Sequence, residues 1–226
     1  MLKPKKKITR RELKEDKFVT FTLKARDFIE ENAKLLVRVG IGVLILIILV
    51  SFYVRSKRSA NIQANALLGE AQLLMMQGDT SRVETLLKQL VEDYSGVTAA
   101  GQGCFLLGKL YWEKEDFTQA ETYFKKYIDD YADDDLLTAS ALAGYADCLF
   151  QKGEIREAAR NYEKAGRINR ELPLSASYLY SAARAYMDIQ ETEKARALAE
   201  EIIKNYETSD FKDKAEILLN MIKYNV

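Results

Sequence analysis

The chain has 226 residues, of which 48% are hydrophobic and 30% charged, a composition typical of a globular protein rather than a disordered or collagen-like one. It contains no histidine, which excludes Ser-His-Asp and Cys-His catalysis and any imidazole metal site. Its two cysteines, Cys104 and Cys148, lie too far apart for a CxxC redox or zinc pair. We therefore predict no catalytic residue, no metal site and no cofactor, and we expect both cysteines to be buried thiols.

The charges balance overall but are distributed unevenly along the chain. Residues 1–58 contain 15 lysines and arginines against 6 acidic residues, whereas residues 59–226 contain 19 against 28. A nucleic-acid-binding domain needs a basic folded part, and here the larger part is acidic. The charge distribution therefore argues against nucleic acid as a partner.

Residues 1–34 form a basic tail, which we expect to be cytoplasmic. Phe18, Phe21, Ala25 and Phe28 recur at steps of three and four residues, the spacing of one face of a helix. This pattern predicts a short amphipathic segment at the membrane interface. The alternative is a simple extension of the helix that follows.

The apolar segment Leu35–Val54 is predicted to form a transmembrane helix. Twenty helical residues span about 30 Å, the thickness of the hydrocarbon layer of a membrane. A buried core helix is the alternative, but such a helix keeps a polar face, and this segment has none. A cleavable signal peptide is disfavoured because Arg55, Lys57 and Arg58 follow where small residues should prepare a cleavage site.

The charges that flank this segment predict its orientation in the membrane. Eleven basic residues precede Arg38, including the run KPKKK, and three follow Val54. By the positive-inside rule, the tail stays in the cytoplasm and the rest of the chain crosses the membrane. This orientation places the large C-terminal part, residues 55–226, on the far side of the membrane, anchored by a single pass.

Residues 55–226 contain four internal repeats. The units align on Val83, Ala120, Ala158 and Ala195, with spacings of 37, 38 and 37 residues. Three units carry a tyrosine at a shared place, and three carry a short polar turn: QGD at 77–79, KED at 114–116 and KGE at 152–154. Apolar residues recur at helical spacing on both sides of each turn, so each unit is predicted to form a pair of helices.

The second unit, GQGCFLLGKLYWEKEDFTQAETYFKKYIDDY, resembles the tetratricopeptide repeat (TPR) family. It has Leu107, Gly108, Ala120, Phe124 and Tyr127 where that family places its packing residues. The resemblance implies an all-α fold, in which a right-handed superhelix of four TPR-like helical hairpins follows the transmembrane helix. We expect a final helix, which contains Phe211, Ala215, Leu218, Leu219 and Ile222, to cap the stack.

The resemblance also implies that the first helix of each unit lines a concave wall, at its second, fifth, ninth, twelfth and thirteenth residues. Those places supply a predicted peptide groove: Leu68, Gln72, Met75, Gln102, Phe105, Lys109, Trp112, Asp147, Phe150, Tyr180, Arg184 and Met187. We expect Phe105, Trp112, Phe150 and Tyr180 to form one apolar strip outside the packing between helices. Methionines and aromatic rings adapt to several partners, which favours a groove for peptides. The alternative is that these rings cover the interior of a tight superhelix.

The whole arrangement resembles the ancillary subunit of the bacterial SecYEG translocon and its relatives, most clearly in the segment FIEENAKLLVRVGIGVLILIILVSFYV. This resemblance implies a single-pass protein of the bacterial inner membrane with a periplasmic TPR domain. It also implies that this protein is an adaptor that binds emerging polypeptides and periplasmic chaperones beside the translocon. A cytoplasm-facing TPR receptor and an envelope-assembly scaffold are the alternatives. An enzyme that uses lysine or carboxylate groups is a third, although no phosphate loop or nucleophile elbow supports it.

Overall fold

A computed structural model describes residues 10–224 of the chain, with side chains from Phe18 onward. Within these residues the fold is all-helical, as predicted, with nine helices and no strand. The helices are α1 (Arg10–Gln77), α2 (Thr80–Asp93), α3 (Thr98–Glu113), α4 (Phe117–Asp130), α5 (Asp135–Gln151), α6 (Ile155–Arg167), α7 (Ser175–Asp188), α8 (Thr192–Asn205) and α9 (Phe211–Tyr224).

The chain divides after Lys57 into two compact units. In the first unit, α1 presents the apolar side chains between Leu35 and Val54 outward, and this stretch is not buried in the protein. It belongs to the one helix, among the described residues, that is long and apolar enough to cross a membrane. Phe18, Phe21 and Phe28 lie on the same helix, exposed, which agrees with the extension alternative. The basic run at 3–7 lies outside the described residues.

The second unit consists of helical hairpins. The part of α1 after Lys57 pairs with α2, and α3/α4, α5/α6 and α7/α8 follow as three further pairs. The repeat anchors Val83, Ala120, Ala158 and Ala195 are all at most 1% exposed. They are therefore core residues, and the repeat alignment made from the sequence is confirmed.

The turns inside the four hairpins share a left-handed residue. Gly78, Glu115, Gly153 and Gln190 have φ values of 78°, 59°, 81° and 62°. The fourth turn has no glycine and differs in sequence from the other three, but it has the same backbone conformation. In the first two hairpins the next residue caps the second helix, because the Asp79 and Asp116 carboxylates accept the backbone N–H groups of Arg82 and Gln119.

Phe124 joins the second and third hairpins. Its side chain is 3% exposed and lies between Gly108 on α3 and Gly144 on α5. A Cβ atom at Gly108 would lie 2.7 Å from the ring, and one at Gly144 would lie 2.6 Å from it. Glycine at both places therefore lets the two helices approach the ring closely.

The last helix caps the stack as predicted. Ala215, Leu218 and Ile222 of α9 are buried against the core formed by α5 to α8, and Phe211 and Leu219 pack at its edge. Cys104 and Cys148 are buried free thiols, again as predicted. Burial raises the pKa of each thiol to about 12, so neither thiol is reactive at neutral pH.

Candidate functional site

Two clefts lie along the first helices of the hairpins. The first, which we call the Trp112 cleft, has a volume of about 260 Å³. Its walls come from α3, α4, α5 and α7, and the residues that line it are Phe105, Lys109, Trp112, Glu113, Phe124, Ser140, Ala143, Gly144, Asp147 and Tyr178. It combines aromatic rings with a few polar groups, the usual composition of a ligand site.

The second, which we call the Tyr180 cleft, has a volume of about 390 Å³. Its walls come from α5, α6, α7 and α9, and it is lined by Phe150, Tyr162, Tyr180, Ser181, Arg184, Ala185, Asp188 and Phe211. The ring of Phe211 lies 5.6 Å from that of Tyr180. The capping helix therefore contributes to this cleft as well as to the core.

The four aromatic residues predicted to form one strip are divided between these clefts. Phe105 and Trp112 line the first, and Phe150 and Tyr180 line the second. Phe105 is also half-buried, with its ring edge-on to Phe124 at 5.9 Å. It takes part in helix packing because the side chain at this place points partly toward the following helix. The expectation that Phe105 lies outside the packing between helices is therefore wrong.

The remaining predicted groove residues differ in their burial and in whether they line a cleft. Leu68 is a core residue rather than a groove residue: it is 5% exposed, because Ala64, Leu68 and Ala71 form the face of α1 that packs against Val83 and Leu87. Gln72 and Met75 are exposed on α1 and line neither cleft. Gln102 is half-buried outside both clefts, and Met187 packs against the core. Lys109 and Asp147 line the Trp112 cleft, and Arg184 lines the Tyr180 cleft.

Four aromatic residues of the clefts were missed by sequence reasoning. Tyr178 lies one place away from the positions transferred from the repeat family, and Tyr162 lies on α6, a second helix of a hairpin. Phe124 and Phe211 were assigned only to packing. One feature of the sequence near Tyr162 indicates close helix packing. Gly166, four residues after Tyr162, leaves space for Leu179, so α6 and α7 lie close together. This glycine indicates that the two helices are close, but it does not indicate which ring lines a cleft.

Asp147 is the half-buried carboxylate of the Trp112 cleft. The Tyr162 hydroxyl donates a hydrogen bond to its Oδ1. Burial raises the pKa of Asp147, and the hydrogen bond from Tyr162 opposes that effect. On the same wall, the hydroxyls of Ser140 and Tyr178 lie 3.3 Å apart, so several polar groups surround the rings at fixed positions.

Several charged residues outside the clefts form ion pairs. Glu84 on α2 accepts hydrogen bonds from Lys114, from Lys88 at 2.8 Å and from the Tyr111 hydroxyl at 2.7 Å. Lys152 and Glu121 lie 2.6 Å apart, and Arg156 and Glu191 lie 2.7 Å apart. Except for the contacts of Glu84 with Lys88 and Tyr111, each of these pairs joins a second helix to the turn of the following hairpin. Those pairs link neighbouring hairpins.

Two larger hollows lie outside the row of first helices. One of about 590 Å³ runs beside α6 and includes Arg160 and Arg167, which are paired with Glu157, Glu163 and Glu201. The other, of about 630 Å³, is formed by the loops at 170–173 and 206–210. Neither contains a cluster of aromatic rings. The two smaller clefts are therefore the better candidates for binding a partner.

The sequence matches two family profiles of the same kind. The tetratricopeptide repeat-like domain profile matches residues 26–165, more than half of the chain, and a tetratricopeptide repeat profile matches residues 151–210. A search of curated proteins gave no match.

Solved structures share the fold at low sequence identity. A tetratricopeptide repeat protein from Parabacteroides merdae ATCC 43184 has a TM-score of 0.59 and 17% identity, over 72% of this chain and 60% of that one. The chain thus spans less than two thirds of that protein. Two structures of a Podosopora anserina putative kinesin light chain with nearly identical TPR-like repeats have TM-scores of 0.51 and 0.50, at 16% and 15% identity. Each of the two alignments includes 72% of this chain. They include 93% and 94% of the respective kinesin light chain structures.

Proposed function

Because the chain belongs to the tetratricopeptide repeat-like domain family, whose repeats form protein-interaction scaffolds, we propose that it binds a polypeptide segment of a partner in the Trp112 and Tyr180 clefts. One observation carries this proposal: aromatic rings on the first helices of three successive hairpins line two clefts, although Phe105, Trp112 and Tyr180 also pack against the core. A cleft lined by aromatic rings and a few polar groups is the usual form of a ligand-binding surface.

We propose further that α1 anchors this scaffold in the bacterial inner membrane through Leu35–Val54. The outward-facing apolar side chains of this segment support an anchor, and the basic residues before it support a cytoplasmic N-terminus. The repeat domain would then be periplasmic. In this setting the resemblance to the ancillary translocon subunit suggests an adaptor that receives emerging polypeptides and passes them to chaperones.

Reporter fusions after Val226 test the proposed orientation. Alkaline phosphatase fused there should be active, and green fluorescent protein should be dark, because only the phosphatase matures in the periplasm. The opposite pattern would favour the alternative, a cytoplasm-facing TPR receptor. A scaffold for envelope assembly would share the first pattern but differ in the proteins that co-purify from mild detergent.

We also infer that the protein is not an enzyme. The lack of histidine supports this inference, as does the high pKa of both thiols, which leaves no activated cysteine. The groups that remain in the clefts are suited to holding a ligand rather than transforming it.

Trp112→Ala tests the binding role. Trp112 is the sole tryptophan, and its truncation should weaken partner capture by about ten- to a hundredfold, the effect of losing one buried aromatic anchor. Phe117→Ala is the matched control, because Phe117 contacts Trp112 at 4.9 Å but does not line the cleft. Phe117→Ala also removes the contact between the two rings, but it should leave partner capture nearly unchanged. Equal loss of capture in both variants would mean that Trp112 acts through packing alone.

A further inference from the structure

Asp147 differs from the other acidic residues that are partly buried in the repeat domain. Glu84, Glu121, Glu191 and Glu201 each lie within ion-pair distance of a lysine or arginine. Among the described side chains, no lysine or arginine nitrogen lies within 4.0 Å of the Asp147 carboxylate. Its one hydrogen bond comes from a neutral hydroxyl, that of Tyr162. The Asp147 carboxyl group therefore has no paired cation among the described side chains, although Lys109 lies elsewhere in the same cleft.

Such a group is costly in the free protein. A carboxylate that is partly removed from water loses hydration, and only a cation or several hydrogen bonds restores the lost free energy. Tyr162 binds one carboxylate oxygen and fixes the orientation of the group. The other oxygen has no donor in the part of the chain that the structure describes. A ligand that brings a positive charge would supply what the protein lacks at this point.

The surroundings of Asp147 favour one kind of cation. Phe105, Trp112 and Tyr178 line the same cleft, and aromatic faces attract cations, most of all the planar guanidinium of arginine. At the exposed rim, Glu113 adds a negative charge and Lys109 a positive one. The net charge of the cleft is therefore negative when both acids are ionised, and its polar groups complement a base rather than an acid.

The size of the cleft sets the scale of the ligand. Its volume of about 260 Å³ is below the roughly 300–1,000 Å³ of pockets that enclose a whole small molecule. It suits one long side chain. Arginine has an apolar stem that packs on rings and a forked head that binds a carboxylate with two hydrogen bonds.

We propose that the Trp112 cleft is specific for an arginine side chain of the bound segment, with its guanidinium group on Asp147 and its stem against the aromatic rings. The inference rests on the proposed function, because it assumes that a polypeptide segment enters the cleft. It reverses the charge preference of a groove that grips a terminal carboxylate with basic residues. The partner segment is thus expected to place an arginine at this point, whatever protein supplies it.

A peptide-display selection tests this inference on the full-length protein in detergent micelles. Random twelve-residue peptides are selected on the wild type, on Asp147→Asn and on Glu200→Gln. Glu200 is exposed on α8 outside both clefts, so its variant removes the same charge elsewhere. We expect arginine to be enriched at one peptide position on the wild type and on Glu200→Gln, and that enrichment to be lost on Asp147→Asn.

A second measurement does not depend on any variant. The fluorescence of Trp112, the sole tryptophan, is titrated with one selected peptide and with its analogue that has citrulline in place of arginine. Citrulline has nearly the same shape without the charge, so its peptide should bind about ten- to a hundredfold more weakly. If Asp147→Asn fails to fold, as judged by its circular dichroism melting curve, this comparison on the wild type still decides.

Each outcome bears on a different claim. Peptides that bind with unchanged affinity after replacement of arginine by citrulline, or enrichment of acidic peptides, would overturn the arginine preference and leave peptide binding intact. Arginine enrichment that persists on Asp147→Asn would also overturn it. No enrichment over empty micelles, or selected peptides that leave the Trp112 fluorescence unchanged, would contradict the proposed function as well.

Discussion

At the scale of single residues, the close contact between Phe124 and two glycines determines how tightly neighbouring hairpins pack. The ring is held between α3 and α5, and neither Gly108 nor Gly144 leaves space for a methyl group. Well-packed cores have few voids and respond to the addition of a single carbon atom. The glycines are therefore fixed by their contacts and not by their backbone conformation.

Gly108→Ala should lower the free energy of unfolding. The new Cβ would lie 2.7 Å from a ring carbon of Phe124, and overpacking of this kind costs typically 1–3 kcal/mol. The gain in helix propensity, up to about 1 kcal/mol, offsets part of that cost. We expect a net loss of about 1–2 kcal/mol, measured by thermal melting as a decrease of roughly 2–8 °C.

Gly69→Ala is the matched control for this prediction. Gly69 lies in helix α1, and an added Cβ there would have no atom within 4 Å. This variant should therefore show only the gain in helix propensity and melt slightly higher than the wild type. A Gly108→Ala protein that melts as high as Gly69→Ala would contradict the tight contact with Phe124.

At the scale of the helices and their turns, the left-handed residue of each hairpin is the shared backbone feature. Glycine occupies it at Gly78 and Gly153, but Glu115 and Gln190 adopt the same conformation. A residue with a Cβ atom is strained there, by about 1–2 kcal/mol. The backbone of these turns is therefore set by the packing of the two helices, and the side chain tolerates it.

Gln190→Gly should stabilise the fourth hairpin. Glycine relieves the strain of a φ of 62° but costs conformational entropy, so we expect a net gain of about 0.5–1 kcal/mol in the free energy of unfolding. Gly153→Ala makes the opposite change at the equivalent turn and should lose a similar amount. Urea titration measures both. Equal stability of the two variants would mean that these turns relax.

The ion pairs between hairpins make stability depend on pH. Hydrogen bonds from Lys114, Lys88 and Tyr111 lower the pKa of Glu84 to about 2, from an ordinary value of 4.5. Because the folded state holds this carboxylate ionised, its contribution is fully present above pH 4.5. That contribution is lost as the pH falls from 4.5 toward 2.

Glu84→Gln tests this pH dependence. At neutral pH the variant should be less stable than the wild type, by about 1 kcal/mol for a partly exposed network. The difference should shrink as the pH is lowered from about 5 to 2.5, because the wild-type carboxylate then becomes protonated too. Melting curves at several pH values check it, and a difference that stays constant with pH would contradict the assignment.

The repeat anchors, the capping helix and the buried thiols were predicted correctly because each depends on periodicity within a short stretch. The cleft residues were predicted less well. Tyr162 and Phe211 enter a cleft through contacts between helices far apart in sequence, and Leu68 points inward because α1 turns its small residues toward α2. The orientation of these side chains depends on how the helices pack. Assigning groove residues by their position in the repeat does not take that packing into account.

At the scale of the whole molecule, the repeat domain contains every element that it needs to fold. Both clusters of buried side chains lie within residues 64–222, after the boundary at Lys57. Stacked hairpins gain stability from neighbouring interfaces, and about three repeats suffice. The four hairpins and the cap exceed that number. We therefore expect the second unit to fold without the N-terminal unit.

Residues 58–226 should consequently fold as a soluble fragment, with helical circular dichroism and one cooperative melting transition. The matched comparison is residues 58–209, which lack α9 and with it the buried Ala215, Leu218 and Ile222. Burial of a leucine or isoleucine side chain contributes about 1.5–3 kcal/mol, so the shorter fragment should lose several kcal/mol and expose core surface on α7 and α8. A longer fragment that stays unfolded, or two fragments of equal stability, would contradict the view that the hairpins and their cap form one self-sufficient stack.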